Sequence, residues 1–383
     1  MLSAKTVNGK RLLTILLLVT AFLITRIPQL GLDAANPDAV NWHYRSEQFI
    51  VGLKNSIWEK TYQHYHPGVM LMWLTGIPIE IFKQISGVEI YDQFSFYAFH
   101  FIAKYSLVFT QLILTLLITF WLSKIISFRE SVAFAFIFSL EPFILGNSRL
   151  YHMDIIFTLF VFSALLLMYL FIQEKKALSL VLSAVFTAFS FLTRSIGIGL
   201  YLYLLFFTIF LSIFTGGKVK KTLSYLTLFT FVFVAATFIF FPALWTAPIK
   251  VITDIFSEGE RIGVRKGHGQ IFLGEYSRDP GWLFYPLVIL LKSSPFIISG
   301  VTLYMIDVIR RLKKNSLSNY FRKLKEEKKV SLAVFSGIFY LGYFLVMSFP
   351  TKKIDRYMIT LYPIFVLFAV YGFCRFYKRA KQS

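Results

Sequence analysis

Long apolar stretches separated by short charged segments run through the whole chain. A helix needs about 20 apolar residues to cross a hydrocarbon core of roughly 30 Å. Two longer polar intervals, residues 27–96 and 246–281, are predicted to be external loops that contain juxtamembrane amphipathic helices. The pattern predicts about ten transmembrane helices, near residues 12–29, 97–123, 130–146, 153–172, 177–192, 196–215, 223–245, 282–308, 330–349 and 358–373.

The composition agrees with a membrane protein and excludes a water-soluble one. Apolar residues make up 56% of the chain, charged residues 16%, and the mean hydropathy is +0.64. We therefore predict an all-α polytopic membrane protein with one transmembrane domain over residues 1–383 and no separate soluble domain. The first apolar run lacks a small-x-small cleavage site and is interpreted as an uncleaved anchor. The single cysteine, Cys374, excludes an intrachain disulfide.

Basic residues in the loops predict the orientation. They fall on one side of the membrane together with the N-terminus, and the positive-inside rule makes that side cytoplasmic. The segment RRLKKNSLSNYFRKLKEEKK marks a basic cytoplasmic loop at about residues 309–329. We expect a multi-pass protein of the plasma (cell) membrane with both termini in the cytoplasm. The net charge of +20 is explained by topology, so no nucleic-acid partner is inferred.

The first external loop opens with an acidic helix start. In Asn36-Pro37-Asp38, Asn is typical of an N-cap, Pro of the first helical position and Asp of the first turn. The helix is predicted to run to about Trp58. Asp38 is either a residue that only starts this helix or part of a functional site. A second helix of roughly 17 residues follows His66-Pro67 and is predicted to lie against the membrane or dip into it. The apolar stripe of the first helix is predicted to face either lipid or the helical bundle, and it consists of Trp42, Phe49, Leu53 and Ile57.

A second external acid follows the third predicted span. The sequence GNSRLYHMD brings Arg149, His152 and Asp154 into a very short turn on the same face as Asp38. Structural roles are open for each of them: Asp154 could cap the fourth span, Arg149 could extend to the interface, and His152 could simply be interfacial. Two carboxylates from distant segments are nevertheless expected at one surface.

The order of these motifs resembles a known family. An acidic site opens the first loop, an HPG-led helix follows, and SRxxxxD stands at the third-to-fourth turn. The second loop adds GHGQIFLG and DPGWLFYP, and LLKSSP and KKxDRY come later. Together they look like the protein O-mannosyltransferase-like branch of the GT-C membrane glycosyltransferases, which use dolichyl- or polyprenyl-phosphate-mannose. The resemblance covers nearly the whole chain.

The resemblance assigns expected roles to particular positions. Asp38 matches the Asp of an Asp-Glu pair at the family's active site, while Ala39 stands where the family has Glu. Asp154 matches the second acidic position. Lys104 stands where relatives usually have Arg, which keeps the charge but loses bidentate phosphate binding.

The chemistry that the resemblance implies is inverting transfer of mannose or a similar hexose from a polyprenyl-phosphate donor to a hydroxyl of a protein, lipid or glycan. The predicted catalytic residues are Asp38 and Asp154, with Asp38 as the general base. Cations at membrane depth would stabilise the departing phosphate. For the TKKIDRY cations two alternatives to phosphate binding are open: a local pair between Asp355 and a neighbouring cation, or a topology that is off by one span. The predicted phosphate-binding residues are Lys104, Arg149, Arg194, Lys292, Lys352, Lys353 and Arg356.

Aromatic and polar residues of the two loops are predicted to bind the sugar or the acceptor, because they offer stacking faces and hydrogen-bonding groups. His66 could instead fix its loop before Pro67. The i, i+2 spacing of His64 and His66 does not place both on one helix face, so no metal site is assigned. A divalent metal is left open as a cofactor. The predicted binding residues are Trp42, His66, His268, Gln270 and Trp282.

Two other classes of function compete with an enzyme. A transporter or flippase of a lipid-linked or anionic substrate would bind phosphate without a reaction, and it predicts mirrored halves with broken helices. Neither feature is apparent in the sequence. A noncatalytic scaffold would not need two external acids that face a cationic cluster.

Overall fold

A computed structural model of the chain describes residues 2–33, 36–88, 92, 95–214, 218–314 and 327–382. It is an almost entirely helical structure. The helices are α1 (Leu2–Arg26), α2 (Pro37–Lys54), α3 (Val69–Ser86), α4 (Ser95–Leu122), α5 (Phe128–Leu140), α6 (Pro142–Ser148), α7 (Asp154–Glu174), α8 (Ala177–Thr193), α9 (Ile198–Phe214), α10 (Val219–Phe240), α11 (Ala243–Thr246), α12 (Pro248–Glu258), α13 (Phe284–Lys292), α14 (Pro295–Lys314), α15 (Lys328–Ser348) and α16 (Tyr362–Ala380).

Shorter elements connect the helices at the predicted external face. The second external loop consists of α11, α12, a π-helical segment and an antiparallel hairpin in which Gln270 pairs with Ser277. Three 3₁₀ turns complete the secondary structure of the described residues. The short elements are the 3₁₀ turns Trp58–Thr61, Ser195–Gly197 and Asp355–Leu361, the π-helix Gly259–Arg265, and strands β1 (Gln270–Phe272) and β2 (Glu275–Ser277).

The described helices have the lengths and apolar character of membrane spans. Six are long and apolar enough to cross a bilayer, or up to eight if each of two bent helix pairs counts as one span. The prediction of an all-α polytopic membrane protein is confirmed, while the count of ten spans stays a prediction. Helix α7 is central, since every residue from Asp154 to Phe171 is buried. The outer helices α9 and α10 expose large apolar side chains, including Phe206 and Phe231, as expected of a surface in contact with lipid.

Two of the predicted spans are broken, which the sequence-based prediction missed. The run at residues 130–146 bends by 66° between α5 and α6, and the run at 282–308 bends by 111° between α13 and α14. Helix α14 has 20 residues, so at about 1.5 Å per residue it spans roughly 30 Å by itself. The two bends are joined, because the backbone N–H of Ser294 donates to Glu141 Oε1 at 2.7 Å and the Ser294 hydroxyl donates to Oε2 at 2.5 Å.

The segment predicted to be the first external loop packs against the helices. Helix α2 begins at Pro37 with Asp38 in its first turn, but it ends at Lys54 rather than near Trp58. The Asn36 side chain makes no capping hydrogen bond; its amide instead donates to the carbonyl of Tyr151 at 3.5 Å. Trp42 and Phe49 of the predicted stripe are buried against the bundle rather than against lipid.

Helix α3 starts directly after His66-Pro67-Gly68 and is 18 residues long. Gly68 has φ of +59°, and a Cβ at this position would lie 2.3 Å from the Trp42 ring. Only glycine fits both the left-handed backbone and this close approach. The contact fixes the start of α3 against α2.

Ion pairs link the helices at the end of the bundle opposite the external loops. Asp307 of α14 is buried and pairs with Arg311, Arg375 and Arg379. Lys329 of α15 pairs with Glu130 of α5. These pairs fall on the side predicted to be cytoplasmic. Residues 315–326, the centre of the predicted basic loop, lie outside the described residues.

Candidate active site

Two acidic side chains from distant parts of the chain meet where α2 and α7 begin. Asp38 lies in the first turn of α2, and Asp154 is the first residue of α7. His152 lies between them, with Nε2 3.5 Å from Asp38 Oδ2 and Nδ1 2.8 Å from Asp154 Oδ2. Arg356 pairs with Asp38, and its Nε is 3.5 Å from Asp154 Oδ2. The two acids therefore belong to one cluster, which we call the acid pair site: Asp38, His152, Asp154, Arg194 and Arg356.

Asp154 is the buried member of the acid pair site. Its side chain is 4% exposed, and Arg194 Nη1 donates to its Oδ1 at 2.6 Å. Arg194 follows the end of α8 in an extended conformation, and its guanidinium lies over the ring of Tyr357. A buried ion needs partners because the loss of hydration costs several kcal/mol. The pair with Arg194 fixes Oδ1 of this carboxylate, whereas Oδ2 lies near His152 and Arg356 but makes no hydrogen bond within the described residues.

Asp38 is the accessible member, with a side chain that is 41% exposed. Both of its contacts fall on Oδ2, and Oδ1 has no hydrogen-bond or ion-pair partner among the residues that the structure describes. The neighbouring His152 and Arg356 hold the pKa of Asp38 well below its usual range. Asp38 is therefore ionised at neutral pH and presents one free oxygen.

The segment from Thr351 to Arg356 carries three cations to this face, and the second external loop holds it. Thr351 donates its backbone N–H to the carbonyl of Val264 at 3.2 Å. Lys353 is 2% exposed, pairs with Asp279 at 2.7 Å, and accepts a hydrogen bond at its carbonyl from Gln270 Nε2 at 3.1 Å. Both Lys353 and Gln270 are thus engaged within the protein.

Lys353 and Arg356 of this segment are paired with carboxylates, whereas Lys352 has no ion pair within the described residues. It is half-buried, and burial lowers its pKa, although the charge of Asp38 opposes this shift. The charges of Arg194 and Arg356 also act on it. Lys352 and Arg356 therefore form the part of the segment that faces the acid pair site. A bound anion would stabilise the positive charge of both side chains.

His66 adds a polar group with no partner. Burial and the nearby charge of Arg194 lower its pKa well below the ordinary value, so the ring is neutral at neutral pH. Its Nδ1 is buried and makes no hydrogen bond within the described part of the chain. The backbone N–H of His66 donates to His64 Nδ1 at 3.1 Å, which fixes the loop. Both roles considered for His66 from the sequence remain open.

Lys104 and Arg149 form a separate cluster around Asp33, an acid that the sequence-based prediction did not select. Lys104 is 1% exposed and pairs with Asp33, while Arg149 Nε lies 3.2 Å from Asp33 Oδ2. Arg149 also donates to the carbonyl of Pro28 at 2.9 Å. These contacts tie the end of α1 to α4. The predicted phosphate-binding role of Lys104 and Arg149 stays a prediction.

The remaining predicted residues occupy different environments. Lys292 lies at the bend after α13, is half-exposed, and approaches Asp355 Oδ2 at 3.5 Å. Trp42 is 2% exposed and packs on Gly68, so its ring is not accessible to a ligand. Trp282 is exposed with its edge against Phe349. His268 is exposed at the surface of the second loop.

Sequence analysis noted His152 but did not assign it a role. The available signal was its position two residues before Asp154 in a very short turn. No group of three or more His, Cys, Asp or Glu side chains in the described ranges is arranged to hold a metal ion. The carboxylates of Asp38 and Asp154 are paired with Arg and His side chains instead.

The comparisons with known proteins define the class by fold. No protein-family model matches the chain, and no curated protein matches it in sequence. ArnT from Cupriavidus metallidurans, solved with undecaprenyl phosphate bound, superposes with a TM-score of 0.64 over 94% of this chain at 14% identity. The oligosaccharyltransferase AglB from Archaeoglobus fulgidus, in complex with an inhibitory peptide and a dolichol-phosphate, superposes with a TM-score of 0.57 over 96% of this chain at 12% identity.

These superpositions show the GT-C fold in this chain and confirm the resemblance at the level of the fold. The chain spans 60% of the ArnT chain and 50% of the AglB chain. The mannosyltransferase branch that the sequence motifs resemble is a finer assignment, which the fold leaves as a prediction.

Proposed function

We propose that this protein is an inverting glycosyltransferase that moves mannose or a similar hexose from a polyprenyl-phosphate donor to an acceptor hydroxyl. The observation that carries the proposal is the ionised, half-exposed Asp38, held on one oxygen and free on the other, beside cations on a GT-C fold. The acceptor is a protein, lipid or glycan hydroxyl at the external face of the membrane.

Asp38 is the group suited to act as general base. The acceptor oxygen attacks C1 of the sugar, the bond from C1 to the phosphate oxygen breaks, and its electron pair leaves with the lipid phosphate. The hydroxyl proton passes to the free oxygen of Asp38. Asp154 supports this step indirectly, because it is enclosed by His152, Arg194 and Arg356 and keeps them in place.

Lys352 and Arg356 are suited to bind the donor phosphate. Both belong to the segment that the second external loop fixes, and Arg356 is 20% exposed at the acid pair site. Negative charge builds up on the phosphate as the sugar leaves, and fixed cations in a water-poor environment stabilise that charge more strongly than cations in water. Lys353 holds the same segment in place through its ion pair with Asp279.

The neutral ring of His66 is suited to form a hydrogen bond with the donor phosphate or the sugar. Its buried Nδ1 lacks a partner in the described structure, and a buried polar atom without a hydrogen bond costs about 1–3 kcal/mol. A sugar hydroxyl or phosphate oxygen would supply the missing bond. Trp282, His268 and Gln270 remain proposed contacts of the second loop with the acceptor.

A flippase or transporter is the second candidate. The two broken helix pairs favour it, because broken helices are typical of transporters. However, the two hydrogen bonds between Ser294 and Glu141 join the two bends to each other. Bends that are held together in this way are suited to a fixed scaffold around a site. A flippase would also not need a half-exposed carboxylate with a free oxygen.

The proposed orientation places the acid pair site outside the cell membrane and both termini inside. It can be tested by cysteine labelling, because Cys374 is the only native cysteine. In a Cys374→Ser background, Tyr276→Cys should react with a membrane-impermeant maleimide in intact cells, and Lys221→Cys should react only after permeabilisation. Both positions are exposed. The reverse result would refute the orientation.

The activity test uses the full chain purified in detergent or nanodiscs. Incubation with a labelled polyprenyl-phosphate hexose and a panel of acceptors should release polyprenyl phosphate and label an acceptor. Asp38→Asn should lower kcat by roughly 10²–10⁴-fold, the usual contribution of a general base. Asp254→Asn, the same chemical change at an acid of α12 away from the site, should retain activity. Turnover unchanged in Asp38→Asn would refute the assignment, and donor translocation without hydrolysis or transfer would favour a flippase.

A further inference from the structure

Two arginines of α16 share one buried carboxylate at the end of the bundle opposite the acid pair site. Arg375 Nη1 and Arg379 Nη2 donate to different oxygens of Asp307 in α14, whose side chain is 2% exposed. The two arginines are four residues apart and therefore lie on one face of their helix. Arg311 Nε is also 2.9 Å from Asp307 Oδ2. We call the group of Asp307, Arg375 and Arg379 the arginine site.

Close packing of α14 on α16 brings these residues together. A Cβ at Gly372 would lie 2.1 Å from the carbonyl oxygen of Gly300, so only glycine allows the two backbones to approach this closely. Asp307 lies about two turns beyond Gly300 along α14. Arg375 lies about one turn beyond Gly372 along α16. The acid and the arginines therefore meet on the same side of this helix crossing.

The arginine site carries more positive charge than Asp307 can balance. Neither Arg375 nor Arg379 has a second carboxylate within ion-pair distance among the described residues. Two positive charges thus share one negative charge, even before Arg311 is counted. A guanidinium has five N–H groups, yet each arginine donates through one nitrogen only, to Asp307, within the part of the chain that the structure describes. A bound anion would supply acceptors and reduce the repulsion between the two arginines.

The surroundings of the arginine site match a phospholipid. Arg379 is the second-last residue of α16, where the apolar helix ends. The side chains of Arg375 and Arg379 are 19% and 48% exposed, so a headgroup can reach them. Exposed apolar residues flank the site, since Phe376 and Tyr377 of α16 and Ile309 of α14 are at least half exposed. A phospholipid would place its phosphate on the guanidiniums and its acyl chains along this apolar surface, which a free phosphate ion would leave uncovered.

We propose that the arginine site binds the phosphate of an anionic phospholipid in the membrane leaflet opposite the acid pair site. Arginine forms bidentate hydrogen bonds with phosphate oxygens. A phosphodiester with no ammonium group supplies the one negative charge that the two arginines lack. A choline headgroup would bring a further positive charge to the same place, which the arginines would repel. Asp307 is the positioning residue, because it holds the two guanidiniums side by side.

Lipid binding can be measured by native mass spectrometry of the full chain, purified in a neutral detergent and freed of bound lipid. The wild type should bind one phosphatidylglycerol with an affinity roughly tenfold or more above that for phosphatidylcholine, which has the same phosphodiester and an added positive charge. Equal affinities for the two lipids would overturn the inference.

The first variant is Arg379→Met. Its affinity for phosphatidylglycerol should fall roughly tenfold or more, because the phosphate loses a charge-assisted hydrogen bond. The matched control is Lys378→Met, which removes the same charge from the neighbouring exposed position and should keep the wild-type affinity. An equal loss in both variants would mean that net charge alone attracts the lipid, and this result would overturn the inference. Unchanged binding by Arg379→Met would overturn it as well.

A second variant covers the case in which Arg379→Met folds poorly because Asp307 has lost a partner. The triple variant Asp307→Asn, Arg375→Met, Arg379→Met removes the arginine site without leaving a buried carboxylate behind. Size-exclusion chromatography shows whether it is folded. Its affinities for phosphatidylglycerol and phosphatidylcholine should be equal. A folded triple variant that still prefers phosphatidylglycerol as the wild type does would refute the site.

Inorganic phosphate distinguishes a lipid headgroup from a free anion. A ligand that binds the native state raises the midpoint of thermal unfolding. Phosphatidylglycerol should raise the midpoint of the wild type but not that of the triple variant, and inorganic phosphate at the same concentration should raise neither. A rise with inorganic phosphate that is lost in the triple variant would overturn the lipid as the occupant and assign the site to free phosphate. None of these measurements requires turnover, so their outcome is independent of the proposed function.

Discussion

Replacing Arg194 by Met leaves the carboxylate of Asp154 in a buried position without its main partner. Both side chains of this ion pair are 4% exposed, so the solvent screens their interaction very little. Removal of one partner of a buried pair costs about 3–5 kcal/mol, because the other charge stays buried and uncompensated. His152 and Arg356 still approach Asp154 Oδ2, at 2.8 and 3.5 Å. They offset part of the loss, so we expect the free energy of unfolding to fall by an amount near the lower end of that range, about 3 kcal/mol.

The free energy of unfolding can be measured by SDS titration from mixed micelles, with tryptophan fluorescence as the signal. The double variant Arg194→Met, Asp154→Asn removes the stranded charge and should recover part of the loss, since residues in contact couple by about 0.5–3 kcal/mol. The matched control is Arg261→Met, because Arg261 pairs with Glu258 at the surface and is 69% exposed. That change should leave the free energy of unfolding close to its wild-type value, because water screens an exposed pair. A loss in Arg194→Met as small as in this control, or a double variant no more stable than the single one, would refute the reasoning.

Three further variants test separate parts of the site. Lys352→Met should raise the KM for the donor more than it lowers kcat, because the bound phosphate loses a cation in both the ground state and the transition state; an unchanged KM would remove Lys352 from the donor site. The contacts of Asp38 lower its pKa in the folded state, so they stabilise the fold above its unfolded pKa of about 3.9. This contribution is lost as the pH falls, and wild-type stability should therefore decrease more than that of Asp38→Asn between about pH 6 and pH 3; parallel curves would contradict this linkage. Gly68→Ala combines a left-handed backbone with a Cβ 2.3 Å from Trp42, so it should destabilise the protein by on the order of 2–4 kcal/mol; a wild-type unfolding midpoint would show that α2 and α3 can separate here without cost.

Sequence reasoning identified the two acids because topology places them on one face. In the predicted topology Asp38 follows the first span and Asp154 precedes the fourth, so both are at the start of a helix on the predicted external face. The apolar periodicity that locates these spans is a local property of the sequence. The presence of both acids at one surface followed from counting the spans between them. Their joint contact with His152 did not follow, because it depends on side-chain geometry.

The broken helices had a signal in the sequence that hydropathy does not register. Each break is followed by a proline, in Glu141-Pro142 and in Ser294-Pro295. Proline disfavours the helical conformation of the residue before it and has no N–H to donate. Hydropathy averages over these positions, so each run was interpreted as one continuous helix. The contact between Glu141 and Ser294 satisfies part of the backbone at one of these breaks.

The partners of the cations could not be predicted. Lys104, Arg149 and Lys353 were all expected at a phosphate site, yet they pair with Asp33 and Asp279. Which carboxylate a cation meets depends on the packing of helices that are distant in sequence. A basic residue at the external end of a span is therefore weak evidence for a ligand until its nearest acid is known.

The charges that remain after this pairing match the proposed reaction. In the acid pair site the two carboxylates are balanced by Arg194 and Arg356, and Lys352 adds one excess positive charge. A polyprenyl-phosphate sugar is a phosphodiester with a single negative charge, so the bound donor would make the site neutral. After transfer the product phosphate carries close to two negative charges, while the proton taken up by Asp38 removes one negative charge from the site. The site therefore remains neutral at each stage, and charge separation in a poorly hydrated environment, which is costly, is avoided.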